Sequence, residues 1–186
     1  MEAAIAGRRA WRAPLLALLA VGVLAAMVVT GRLRENQQLV KASGQGVMAE
    51  APAEVDRVEL TARAGHWLFV RNGRGWQASA NGATVPASLA QHLDDSLKFM
   101  HVAPPVRVMA AAEWAPTGLR EFDLDPPRYT ATMYHGGRRV LSAWFGGLNP
   151  QEVLQYMKLD GRDEVYLMSR FVGQEWEQAL REAASR

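Results

Sequence analysis

Residues 128–168 read RYTATMYHGGRRVLSAWFGGLNPQEVLQYMKLDGRDEVYLM, and this stretch decides the fold. Arg128–Tyr134 and Arg138–Phe145 alternate in the manner of half-buried strands, and His135-Gly136-Gly137 turns the chain between them. Gly146-Gly147 and Asn149-Pro150 interrupt the pattern. Val153–Leu159 and Glu164–Met168 then flank Asp160-Gly161, a strong hairpin signal. Strands joined by turns this short pair antiparallel, because a parallel pair needs a crossover of a dozen residues or more.

The pattern changes period on both sides. After Ser169, a candidate cap, the residues Phe171, Val172, Glu175, Trp176, Ala179 and Leu180 recur at helical spacing with one apolar stripe. Upstream, Val55–Leu60 and His66–Arg71 read as strands, and Asn72–Gly75 turns into a third at Trp76–Ala78. Leu89, Leu93, Leu97 and Met100 predict an amphipathic helix with Asp94, Asp95 and Lys98 facing away, opened by a Ser88/Gln91 capping box and closed before Pro104-Pro105. Val106–Met109 is a short strand, and Ala110–Arg120 is a mixed segment around Trp114, Pro116 and Gly118. Two helices on a mostly antiparallel sheet predict an α+β domain over residues 54–186.

The front of the chain has a different character. Pro14–Thr30 (PLLALLAVGVLAAMVVT) carries no charge and follows Arg8, Arg9 and Arg12. It lies at the lower limit of what crosses a hydrocarbon core of about 30 Å at about 1.5 Å per residue. The expected organisation is a cytoplasmic tail (1–12), a transmembrane anchor (13–31), a Gln-, Gly- and Ser-rich linker (32–53) and an extracytoplasmic domain (54–186). A cleaved signal peptide and a buried helix of a soluble fold are the alternatives. The first is disfavoured by a long apolar run with no Ala-x-Ala site after it. Arginines flank both ends of the run, so orientation rests on the short basic tail preceding it. Within the anchor, Gly22, Ala26 and Thr30 place small side chains on one face, where a neighbouring membrane helix fits closely.

Charge follows the same division. The sequence pI is 9.2, yet of 21 Lys+Arg and 19 Asp+Glu, six bases and three acids fall within residues 1–53, leaving 15 bases against 16 acids in 54–186. The basic excess belongs to the membrane flanks, and the domain lacks the electrostatic footprint of a nucleic-acid binder. Without cysteines there is neither a disulfide nor thiolate chemistry.

The ordered set Glu121-Phe122-Asp123-Leu124-Asp125-Pro126-Pro127, Phe145-Gly146-Gly147-Leu148-Asn149-Pro150, Tyr156-Met157-Lys158-Leu159-Asp160-Gly161 and Glu164-Val165-Tyr166-Leu167 resembles the domain-of-unknown-function 4340 family, over about residues 54–184. The resemblance implies a membrane-anchored extracytoplasmic protein, in some cases encoded beside ABC-type transport components linked to gliding motility. It brings no activity, cofactor or catalytic residue. Many such proteins carry the unit more than once, whereas this chain has room for one copy, which points to a small accessory subunit.

The residues offer few constellations for chemistry. Asp123 and Asp125 supply two carboxylates where a hard cation needs more ligands, and they suit a turn before Pro126-Pro127. Asp160, Asp163 and Glu164 mark a hairpin before they mark a site. His66, His92, His101 and His135 show no zinc spacing, with His92 expected at a helix surface or edge. There is no nucleophile elbow and no phosphate loop. No cofactor or metal is expected, and the chain is not read as an enzyme. Tryptophans 67, 76, 114, 144 and 176 suit a core, and Trp11 suits the headgroup level. Trp114 is expected to be partly exposed and, with Met109 and Phe122, to form a partner interface. The expected function is a non-catalytic, membrane-tethered binding or assembly subunit alongside other integral-membrane subunits. An anchored carrier or sensor of a small envelope ligand and an envelope hydrolase are the alternatives.

Overall fold

Strands β1 (Arg57–Ala62), β2 (Gly65–Asn72), β3 (Gly75–Ala78), β4 (Arg107–Met109), β5 (Tyr129–His135), β6 (Arg138–Leu148), β7 (Leu154–Leu159) and β8 (Val165–Ser169) join in one sheet, in the order β3-β2-β1-β5-β6-β7-β8-β4. All neighbours are antiparallel. The computed structural model describes residues 19, 21–22, 46–73 and 75–185. Within 46–185 there are three α-helices, α1 (Ala87–Val102), the single turn α2 (Ala111–Trp114) and α3 (Arg170–Ala184), and two 3-10 turns. The α+β class holds, with one more helix than the periodicity shows.

Two meanders, β1-β2-β3 and β5-β6-β7-β8, meet where β1 pairs with β5. The β5–β6 turn is closed by Gly136 (φ 58°) and Gly137 (φ 79°), the pair of positive φ values a type I′ hairpin needs. Gly146-Gly147 does not end β6 as expected. The strand runs on to Leu148 with a register shift after Phe145. A Cβ at Gly146 would strike the Phe122 carbonyl oxygen and press on Leu124 at 3.0 Å. Glycine here lets another segment lie directly on the strand.

Strand register places Val58, Leu60, Phe69, Ala131, Met133, Ala143, Phe145 and Met157 on one face, and all are buried. Helices α1 and α3 cover them with Leu89, Leu93, Leu97 and Met100 from one and Val172, Trp176, Ala179 and Ala183 from the other. The α3 stripe departs from the expected one at Phe171, which is 45% exposed and meets Phe99 edge-on at 4.9 Å. The start of α3 is sewn to the sheet by polar groups. The Tyr129 hydroxyl donates to Gly173 O at 3.0 Å, the Gln155 amide donates to Glu177 at 3.4 Å and Arg170 donates to Gln155 Oε1 at 3.5 Å. Burial pushes the Tyr129 pKa well up, which keeps it a donor.

The helix starts differ from expectation. Pro86 takes the N-cap position of α1, so Ser88 falls inside the first turn and donates to Glu182 of α3 at 2.7 Å, while Gln91 donates to Asp95. Ser169 does cap α3 by position, with no side-chain bond. Asp94 does not face away. It accepts from Arg71 at 2.9 Å and from the indole of buried Trp76 at 3.0 Å, because a buried N–H requires an acceptor.

The expected linker 32–53 overlaps the folded domain, which takes in at least Gly46 onward. Met48 is fully buried. The Gly46 and Met48 amides donate to His101 O at 2.6 Å and Met100 O at 2.9 Å, and His101 Nδ1 donates to Met48 O at 3.1 Å. The last carbonyls of a helix have no intrahelical donors, and this segment supplies them.

Most of the expected anchor 13–31, with Ala26 and Thr30, lies outside the described residues. Leu19, Val21 and Gly22 are helical, with Leu19 67% and Val21 63% exposed. Among the described residues no helix is long and apolar enough to cross a membrane.

Candidate binding surface

The second face of the sheet is divided. Over β6, β7, β8 and β4 it is covered by the connection 110–128, which lays α2, the 3-10 turn Leu119–Phe122 and Leu124 across the strands. Phe122, Leu124 and Val165 are the buried centre of this small core, with Met109, Trp114, Leu119, Trp144 and Tyr156 packed around them. Phe122 and Tyr156 rings lie 4.7 Å apart. Asp123, left-handed at φ 53°, ends the 3-10 turn and receives two hydrogen bonds from Arg128, at 3.0 and 2.6 Å. The two aspartates thus serve a turn, as their spacing suggests.

Met109, Trp114 and Phe122 do come together. Phe122 is buried and Met109 half-buried, and both pack in the small core that fastens the connection to the sheet. Trp114 is half-buried as expected, and its indole donates to Asp163 O at 2.8 Å. Lys158 Nζ sits 5.9 Å from its ring centroid.

Over β3, β2, β1 and β5 the second face carries no covering element among the described residues. Register places Gln77, Val70, Leu68, His66, Arg57, Glu59, Thr61, Thr130, Thr132 and Tyr134 there. Glu59 sits at the centre. Its carboxylate accepts from His66 Nε2 at 2.6 Å and from the Tyr134 hydroxyl at 2.9 Å, and Arg57 stacks 3.9 Å over the Tyr134 ring. The hydrogen bond from His66, followed by that from Tyr134, holds Glu59 below the usual carboxylate range. Desolvation and the same carboxylate push Tyr134 up. Thr132 and Ser142 hydroxyls share a hydrogen bond of 2.9 Å beside them. The result is a flat, prearranged polar surface. Its spacing signals are the polar alternation of β1 and β5 and the β1–β2 hairpin that brings His66 to Glu59, whereas Tyr134 lies 75 residues away in sequence.

Other polar groups join elements rather than form a site. His92 is half-buried at the edge between α1 and α3. Its Nδ1 donates to Glu175 at 2.7 Å, and its Nε2 lies 3.6 Å from Glu182. Among the described residues no cluster of three His, Cys, Asp or Glu has the geometry of a metal site. One hollow of about 270 Å³ is lined by His66–Phe69 and Ala78–Ala80, and another of about 260 Å³ by Val47, Arg139–Ser142 and Leu159–Arg162. Both open broadly at the surface. The carboxylates with resolved shifts, Glu50, Glu59 and Glu113, are all shifted down, led respectively by hydrogen bonds from Arg138, His66 and the Ala110 amide.

No protein-family model matches this chain, and neither does any curated protein or solved structure.

Proposed function

We propose that this chain is a non-catalytic binding or assembly subunit, tethered by a single helix over residues 13–31 to the bacterial inner membrane, with its N-terminus cytoplasmic and its α+β domain in the periplasm. The observation that carries the binding role is the uncovered half-face of β3-β2-β1-β5 around Glu59, His66, Tyr134 and Arg57. Its groups are held in place by one another, so a protein partner loses little side-chain freedom in engaging them. A flat surface suits another subunit better than a small ligand, for which sites of about 300–1,000 Å³ that enclose most of the molecule are usual. Carboxylates shifted down also run against general-acid chemistry, which needs a raised value.

The tether rests on the uncharged run Pro14–Thr30 and its arginine flank. The small-residue face Gly22, Ala26 and Thr30 is then the place where a neighbouring membrane helix packs. The resemblance to the domain-of-unknown-function 4340 family favours a transport-related complex.

Purification from native membranes in mild detergent through a C-terminal tag, with mass spectrometry of what accompanies the chain, tests this. Stoichiometric integral-membrane partners are expected, with lower recovery on Gly22→Leu and on Glu59→Lys. A monomer recovered alone from intact membranes sinks the assembly role.

A further inference from the structure

We propose that Asn72 is a site of spontaneous deamidation, and that its conversion to aspartate or isoaspartate alters the charge of the uncovered sheet face. The step is favoured where glycine follows asparagine, because the missing side chain leaves the main-chain nitrogen open to approach. Asn72-Gly73 and Asn81-Gly82 both have this form, and all four residues are exposed. The glycine amide loses its proton to water or hydroxide, its nitrogen attacks the asparagine Cγ, and the side-chain amide leaves as ammonia. Water then opens the resulting succinimide at either carbonyl. Aspartate forms when the new C–N bond breaks, and isoaspartate when the original peptide bond breaks.

Hydrogen bonding separates the two sites. At Asn81 both reacting groups are engaged, since Gly82 donates its N–H to Ala78 O at 2.9 Å and Asn81 Oδ1 accepts from the Ala83 amide at 3.0 Å. Attack there has to break both. At Asn72, among the described residues, neither the Gly73 N–H nor the side-chain amide makes a hydrogen bond. Asn72 ends β2 opposite Gly75, so Gly73 lies in the turn just beyond the ladder. Asn149 precedes Pro150, which has no N–H to ionise. Asp160 before Gly161 is a carboxylate paired with Arg139 at 2.8 Å, with no ammonia to expel. Strand alternation puts Asn72 on the uncovered face with His66, Leu68 and Val70. Val70 lies opposite Arg57, which makes Asn72 the diagonal neighbour of Arg57, about 7–8 Å away and within reach of a long side chain. A carboxylate at position 72 therefore faces the guanidinium that stacks on Tyr134. Isoaspartate adds a methylene to the main chain as well, and disturbs the pairing with Gly75.

The purified full chain, held in mildly alkaline buffer and sampled over time, provides the test. Peptide mapping by mass spectrometry follows the mass gained as amide becomes acid at positions 72 and 81, and an isoaspartate-specific methyltransferase labels the rearranged product. Conversion at 72 should outpace that at 81 by at least about fivefold, the factor that one net hydrogen bond represents. The two rates should converge in urea, where only local sequence acts. Equal rates in the folded chain, or faster conversion at 81, overturn the proposal. The effect on recognition rests on the binding role assigned above to the uncovered face. Asn72→Asp should lower recovery of membrane partners by about twofold or more, as a charge added at an interface does, whereas Asn72→Gln should not. Recovery unchanged by Asn72→Asp but lowered by Glu59→Lys overturns the effect on recognition and leaves the binding face standing. Recovery unchanged by both overturns the binding face, and the effect on recognition with it.

Discussion

On the helix-bearing face of the sheet, Trp176, Leu93, Leu97, Phe145 and Met157 are fully buried in one continuous core contributed by two helices and seven strands. On the other face, the core is three buried residues with five partly buried neighbours, supplied by an irregular connection, and it stops at β6. The first arrangement closes a surface. Among the described residues nothing covers the rest of the second face, where alternating polar side chains satisfy one another instead of a covering layer. Antiparallel sheets tolerate this, since one face suffices for the core. What differs between the faces is how much can be replaced without loss of the fold, and the uncovered half is where recognition can be built at small expense in stability.

The comparison can be broken at several points. Trp176→Ala should produce the largest loss, about 3–5 kcal/mol, because the cavity lies between two helices and a sheet that relax little. Phe122→Ala should lose less, about 2–3 kcal/mol, since the connection can collapse toward Tyr156. Urea midpoints check both, and equal losses would show the two faces to be one cooperative core. Gly146→Ala should lower stability by about 1–3 kcal/mol through overpacking against the Phe122 carbonyl and Leu124. Trp114 emission should also shift as the connection lifts, whereas an unchanged midpoint would mean that the connection does not bear on β6.

The smallest effect belongs to the uncovered face. Glu59→Gln should cost about 0.5–1 kcal/mol at neutral pH, as expected of a partly exposed pair. The Glu59 pKa is lowered from the ordinary carboxylate value of 4.5, so its contribution is present in full above that value and disappears as pH falls through the lower folded value. Wild type and variant should thus differ at pH 7 and converge in acid. A difference that persists below the folded value would assign the cost to packing, not charge.

The fold was legible where a local period reports on burial. The β5–β8 hairpins, the Leu89–Met100 stripe and the β1–β3 meander all appear near their expected bounds, because each turn carries glycine or asparagine and each element one apolar face. Of the candidate interface, proximity was legible and direction was not. Met109, Trp114 and Phe122 are near in sequence, but whether they turn in or out depends on Val165 and Tyr156 of strands reached 40 residues later in the chain.

The sequence by itself determined the α+β class, the neutral charge of the domain beside basic flanks, and the lack of cysteine chemistry. These follow from composition and from periods of two and 3.6 residues, which need no knowledge of neighbours. Tertiary structure alone decided that β1 lies against β5, that Asp94 serves Trp76, that His92 sits between two carboxylates of α3, and that half of one sheet face is left uncovered by the described residues. The physical reason is that hydrogen bonds and burial between distant segments depend on which strands become neighbours, a choice made by the joint packing of all eight strands and both long helices.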